Sequence, residues 1–165
     1  MYSSGKVGRK QTRERPDPAA GLSALSRFFK SIKSERIMTY TIDRTIAGAD
    51  IDAIDARTRE ALAAQGFGVL TEIDVTATMK KKLDIDMPGY RILGACNPGM
   101  AHQAIGIEPR VGAMLPCNVI LRTVEGGVEV SAIDPVASMQ AIDNADLHAV
   151  AGQVRDLLAK AVKAI

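Results

Sequence analysis

The residues best suited to chemistry lie in one stretch, residues 91–118, which holds both cysteines and one of the two histidines. Cys96 comes just before a predicted helix, where the positive end of the helix dipole can lower the pKa of a thiol and make it more nucleophilic. His102, one turn into that helix, could approach Cys96, and a Cys–His pair is the minimum for thiol activation. Cys96 and His102 are therefore the candidate catalytic residues, with Cys117 as a resolving or second thiol.

The same cysteines are also typical of a packed core, because free cysteine is among the most buried residue types. Cys96 and Ala101 occupy the two positions of a hydrophobic staple around the start of the helix. Cys117 alternates with Val119 and Leu121, so it shares their face of a strand. The sequence leaves both interpretations open.

A metal or redox centre is less well supported by the spacing. Cys96, His102 and Cys117 read C-x5-H-x14-C, which matches no close-set ligand motif, and the twenty residues between the cysteines are not the CxxC of a redox centre. No acidic residue clearly orients His102, and we expect His148 to lie on the surface. We therefore predict no metal site and no cofactor.

The elements that position these residues follow from hydrophobic periodicity and helix-capping signals. Asp74 and Asn97 are predicted N-caps, and Pro98 stands at the first position of its helix. The predicted strands are residues 36–44, 66–75 and 90–96 and a pair joined around residues 126–127; the predicted helices are residues 49–65, 75–83, 98–108 and 144–165.

This order of elements predicts an α+β fold, a two-layer sandwich with a largely antiparallel five-stranded sheet and helices on one face. The hairpin at Gly126-Gly127 requires antiparallel pairing, which excludes a strictly alternating Rossmann-type fold. The chain also lacks a GxGxxG motif before a helix.

Charge divides the chain into two parts. Residues 1–36 carry nine Lys and Arg against three Asp and Glu, whereas the rest carries twelve against sixteen. We predict that residues 1–35 are a disordered basic extension and that residues 36–165 form a single α+β domain. Within the extension, residues 22–33 have the spacing of a basic amphipathic helix. Such a helix could be a membrane-surface anchor, a docking helix or a targeting peptide. Alternatively, the segment lies upstream of a true start at Met38.

Composition excludes several classes of function. The main part of the chain is mildly acidic, so we expect no nucleic-acid partner. No apolar run approaches the roughly 18 residues that span a bilayer, and two cysteines do not make a disulfide scaffold. We therefore expect a cytoplasmic protein.

Four segments, GFGVLTEIDV, YRILGACNP, LPCNVILR and VSAIDP, resemble a bacterial and archaeal family known as domain of unknown function number three hundred and two. The resemblance runs from about Met38 to the C-terminus, and the ACNP and LPCN blocks are its most specific parts. It implies a TATA-binding-protein-like sandwich and a homodimer, and it implies no catalytic role. The residues that match the family motif are Cys96, Asn97, Pro98, Pro116, Cys117 and Asn118.

Three functions remain in competition. The first is a binding domain that holds a small ligand or partner segment in a cleft near Cys96 and Cys117, with the six motif residues as the binding site. The second is a thiol-dependent enzyme or sulfur carrier with Cys96 as nucleophile, and the third is a dimerisation module. If strands three and four are antiparallel, both cysteines share one end of the sheet, with their sulfurs within about 8 Å. A disulfide would need their Cα atoms within roughly 7 Å.

Overall fold

The computed structural model describes residues 39–165, so the predictions for residues 1–35 lie outside the described residues. The strands are Thr41–Ala47 (β1), Gly68–Asp74 (β2), Tyr90–Cys96 (β3), Cys117–Val124 (β4) and Gly127–Ile133 (β5). The helices are Ile51–Ala64 (α1), Val75–Leu83 (α2), Pro98–Ile107 (α3), Pro135–Ser138 (α4) and Ala145–Ala164 (α5), with a 3₁₀ helix at Pro109–Met114.

The five strands form one sheet in the order β1-β5-β4-β3-β2, and every neighbouring pair is antiparallel. The predicted hairpin joins β4 to β5, with Gly126 at a positive φ of 78° that few other residues adopt. Gly127 then passes so close to the carbonyl oxygen of Ile46 in β1 that a Cβ atom would clash with it. The α+β prediction with a five-stranded antiparallel sheet is confirmed.

One face of the sheet is covered by α1 and α5. Alternate residues of the central strands, such as Leu93, Val119 and Val130, are buried against Ile54 of α1 and Leu158 of α5. A second buried cluster joins α3, the 3₁₀ helix and the first half of α5; its members are Ala104, Val111, Met139, Leu147, Val150 and Ala151. None of the helices within residues 39–165 is both long and apolar enough to cross a membrane.

Short polar side chains set the start of each helix. Asp74 accepts a hydrogen bond from the backbone N–H of Ala77, and Asn97 accepts one from Met100, so both predicted N-caps are confirmed. Asp134 caps a helix that the sequence analysis did not predict, α4, by accepting from the N–H groups of Val136 and Ala137.

The largest differences from the predictions lie in the first strand and in the segment that follows α3. The first strand begins at Thr41 and continues to Ala47, whereas the alternating pattern predicted residues 36–44. The segment Pro109–Met114 is a 3₁₀ helix, although no element was predicted there. Pro109 suits the first position of such a helix, and Glu108 caps it by accepting a hydrogen bond from the backbone N–H of Arg110. The element is too short to produce a periodic pattern of apolar residues.

An ion-pair network ties α1 to the edge of the sheet. Asp55 is buried in α1 and receives hydrogen bonds from Arg59 of the same helix and from Arg91 of β3, the latter at 3.0 Å. Arg59 also contacts Glu72 of β2 at 2.6 Å, and Arg91 contacts Asp52. The network therefore links three elements through one buried carboxylate.

Candidate functional site

The antiparallel pairing of β3 and β4 brings the two cysteines to the same end of the sheet, as predicted. Cys117 begins β4 and lies directly opposite Ala95, one residue before Cys96. Cys96 ends β3 and is half-buried, whereas Cys117 is buried. Both thiols are free.

Both cysteines line one small cavity between the end of the sheet and helices α3 and α5, here called the cysteine cavity. Its volume is about 30 Å³, room for one or two water molecules. Pockets that hold small organic ligands measure roughly 300–1,000 Å³. The cavity lies where the sequence analysis expected a cleft, but it is far below the size of a formed ligand pocket.

The environment of both thiols disfavours the thiolate form. Burial raises the pKa of Cys96 above its ordinary value. Burial raises the pKa of Cys117 to about 11, with a further contribution from the charge of Cys96. The sequence placed Cys96 where a helix dipole can lower its pKa, whereas burial acts in the opposite direction. The two thiols are nevertheless close enough for one charge to affect the other.

The remaining predicted site residues are scattered. His102 and Pro98 are exposed on α3, and burial alone shifts the pKa of Cys96, with no contribution from His102. Asn97 lines the cysteine cavity while capping α3. Pro116, whose bond to Leu115 is cis, lies against the Cα of Gly94. The structure therefore supplies no Cys–His pair within the described residues.

His148 is half-buried rather than fully on the surface, which corrects the prediction. Its Nε2 atom lies 3.3 Å from the carbonyl oxygen of Met139, to which it can donate a hydrogen bond. This contact fixes the chain just after α4, where Met139 lines the cysteine cavity.

Asn118 lies on the other face of the sheet, because neighbouring residues of a strand point to opposite faces. There it borders an open groove of about 610 Å³, here called the sheet-face groove. The groove crosses the face of β1, β5, β4 and β3 that no helix within residues 39–165 covers, here called the uncovered face. Its lining residues are Tyr40, Thr41, Asp43, Tyr90, Asn118, Ile120, Arg122, Glu129, Ser131 and Ile133.

The sheet-face groove combines aromatic rings with a small excess of negative charge. Tyr40 is 70% exposed, and Tyr90 is half-buried at the start of β3. Arg122 is already paired with Glu129 at 2.6 Å, and Asp43 adds a second carboxylate. Sequence reasoning missed this site, although strand alternation could have indicated it, since polar residues alternate with the core positions of β4 and β5.

Between residues 39 and 165, no group of three or more His, Cys, Asp or Glu side chains is placed to hold a metal ion.

Residues 39–165 form a two-layer α+β domain in which helices cover one face of an antiparallel sheet. The family model described as "Domain of unknown function DUF302" matches residues 42–165, and the chain belongs to that family. The chain is similar to a crystal structure of an uncharacterized conserved DUF302 protein from Bacillus stearothermophilus. The two share 23% identity with a TM-score of 0.71, over 76% of this chain and 97% of the other. A comparison with curated proteins finds no match.

Proposed function

We propose that this protein is a non-catalytic binding domain and that the sheet-face groove holds a small organic cation with an aromatic or apolar body. The observation that carries the proposal is the groove itself. At about 610 Å³ it falls within the size range of small-molecule sites, and its lining pairs two tyrosines with more carboxylates than cations.

The lining supports a cation more than an anion. Arg122 is held by Glu129, so its charge is balanced, whereas no cation pairs with Asp43 among the described residues. The faces of Tyr40 and Tyr90 carry negative potential that attracts a positively charged group. Ile120 and Ile133 offer apolar surface for the body of the ligand.

The proposed binding site lies on the opposite face of the sheet from the cysteine cavity. Asn118 belongs to the groove, whereas Cys96, Asn97 and Cys117 line the cysteine cavity on the other side. The thiol-dependent enzyme or sulfur carrier is less well supported, because burial keeps both thiols protonated at neutral pH. Of the six motif residues, the proposal retains only Asn118 as a direct ligand contact.

A matched pair of probes tests the proposal. Phenethylammonium and 3-phenylpropionate share a phenyl ring on a short chain and carry opposite charges. Titration of the ¹⁵N-labelled protein with each, followed by amide NMR, should show saturable shifts along β4 and β5 for the ammonium and weaker binding of the carboxylate. The proposal fails if both bind equally or if shifts cluster around α3.

Two variants locate the binding site. Asp43→Asn removes the unpaired carboxylate and should weaken phenethylammonium binding about two- to fivefold, which is the worth of one exposed ion pair. Glu60→Gln removes an exposed carboxylate from α1, on the covered side of the sheet, and should leave the affinity unchanged. Equal effects of the two variants would point to a general charge effect and contradict the proposed site.

A further inference from the structure

We propose that the cysteine cavity is a site for a single soft monovalent metal ion, Cu(I), held by cysteine and methionine sulfurs. Four sulfur-bearing residues line this one cavity: Cys96, Cys117, Met100 and Met139. Thiolate and thioether ligands together select Cu(I) over harder ions such as Zn²⁺ or Mg²⁺. The proposal is independent of the sheet-face groove, which lies on the opposite side of the sheet.

Four separate elements bring the four residues together: β3, α3, β4 and the end of α4. Cys96 ends β3, and Met100 follows four residues later, in the first turn of α3 that Asn97 caps. Cys117 begins β4 opposite Ala95, beside the end of β3. Met139 follows α4 and is buried, with its carbonyl oxygen facing Nε2 of His148 at 3.3 Å.

The size of the cavity fits an ion and excludes a larger ligand. A volume of about 30 Å³ is little more than that of one or two water-sized spheres. Water itself needs two to four polar partners, and the lining is almost wholly apolar or sulfur-bearing, with Asn97 as the exception. A cavity of this kind is unsuited to water but can satisfy an ion whose ligands are sulfur atoms.

Charge balance favours a monovalent ion. Burying a net charge among apolar side chains is costly. One thiolate together with Cu(I) is neutral, and the thioethers of Met100 and Met139 add donor atoms without charge. The metal stays in its Cu(I) state throughout, and each thiol that binds as thiolate releases one proton to solvent.

The two cysteines differ in access. Cys96 is half-buried and at the border of the cavity, so an ion can reach its sulfur from solvent. Cys117 is buried.

Metal binding is measured on the full chain, without oxygen and with ascorbate, by titrating Cu(I) against bathocuproine disulfonate. We expect one Cu(I) ion per chain. Met100→Leu and Met139→Leu should each weaken binding at least about tenfold, the range seen when even supporting groups of a metal site are lost. Met114→Leu, which changes a methionine outside the cavity, should leave the affinity unchanged. Equal affinities in all three variants would overturn the proposal and assign the ion to an exposed thiol alone.

A second measurement does not depend on any variant folding. Ag(I), a redox-inert stand-in for Cu(I), is added to protein labelled with ¹³C at the methionine methyl groups. The methyl signals of Met100 and Met139 should shift together at one equivalent, and that of Met114 should not. Binding of Ag(I) with no shift at Met100 or Met139, or failure of the protein to compete for Cu(I), would overturn the proposal.

Discussion

Among single residues, Asp55 shows how a buried charge is accommodated in this fold. Burial alone would raise the pKa of this carboxyl group, but hydrogen bonds from Arg59 and Arg91 outweigh burial and leave the pKa below its ordinary value. Its side chain is only 6% exposed, so the arginines cannot be replaced by water. A charged residue in this position is tolerated because it has two cationic partners.

Replacing Asp55 with asparagine should lower the free energy of unfolding by about 3 kcal/mol. This is the lower end of the range for breaking a buried ion pair, because the side chain of Arg59 is still partly exposed to solvent. The measurement is urea unfolding at pH 7. Asp52→Asn is the matched control, because the Asp52 side chain is 78% exposed and also pairs with Arg91; its loss should cost under about 1 kcal/mol. A smaller loss for Asp55→Asn than for the control would contradict the buried network.

The pKa of Asp55 also fixes the sign of an acid effect. A carboxyl group whose pKa is lower in the folded state than in the unfolded state stabilises the fold above the unfolded value of about 3.9. That contribution is lost as pH falls through the lower, folded pKa. The stability gap between the natural chain and Asp55→Asn should therefore narrow below about pH 4, and a gap that widened there would reverse the assignment.

At the same scale, sequence reasoning found the cysteines but not their neighbours. Cys96 and Cys117 were predicted to share one end of the sheet because antiparallel strands bring a strand end and a strand start together, and they do. Met100 and Met139 were missed because a methionine on an apolar helix face has no pattern that separates a ligand from a core residue. Only the fold shows that the four side chains line one cavity.

Among the elements, β3 needs a glycine at position 94, because neighbouring side chains on the uncovered face leave no room for a Cβ atom. A Cβ atom on Gly94 would overlap the Oγ1 atom of Thr71 in β2 and come within 2.7 Å of Pro116 Cγ. Thr71 can rotate its side chain, but the proline ring cannot move without the backbone. At Gly94, side chains from β2 and from the residue before β4 therefore pack tightly against β3. This contact lies on the same face of the sheet as Asn118.

Gly94→Ala should lower the free energy of unfolding by about 1–3 kcal/mol, the cost of overpacking. Gly68→Ala, in the neighbouring edge strand, meets open space and should be neutral or slightly stabilising. Thermal unfolding of both variants measures the difference. A Gly94→Ala protein as stable as the Gly68→Ala protein would show that the strands separate enough to admit a methyl group.

Strong periodic elements were predictable, and short capped ones were not. The helix α1 was predictable because its buried positions Ile54, Thr58 and Leu62 repeat the helical spacing over several turns. The helix α4 has only four residues, so its one signal is Asp134 followed by a proline. Asp134 caps this helix and also accepts a hydrogen bond from Nε of Arg155 at 2.8 Å, a contact with α5 that only the fold reveals.

For the whole molecule, the two edges of the sheet are unequal. Both edge strands carry two charged residues, Asp43 and Arg44 in β1 and Glu72 and Asp74 in β2, so the difference lies in their apolar residues. Edge strand β2 exposes Leu70 to 66% and Ile73 to 49%, and its pairing with β3 is irregular at Leu70. An exposed apolar edge requires cover, and two-fold dimers are the commonest way to supply it.

We therefore expect a homodimer formed through β2, which leaves the sheet-face groove open. Leu70→Lys and Ile73→Lys place charges on that edge and should shift the protein towards monomer, measured by sedimentation at micromolar concentration. Ile105→Lys changes a comparably exposed apolar residue on α3 and should leave the dimer intact. A purely monomeric natural chain would refute the expectation. If the dimer resists both β2 substitutions but is broken by Tyr90→Lys, the interface lies on the uncovered face. In that case a second copy of the chain, rather than a small cation, occupies the groove.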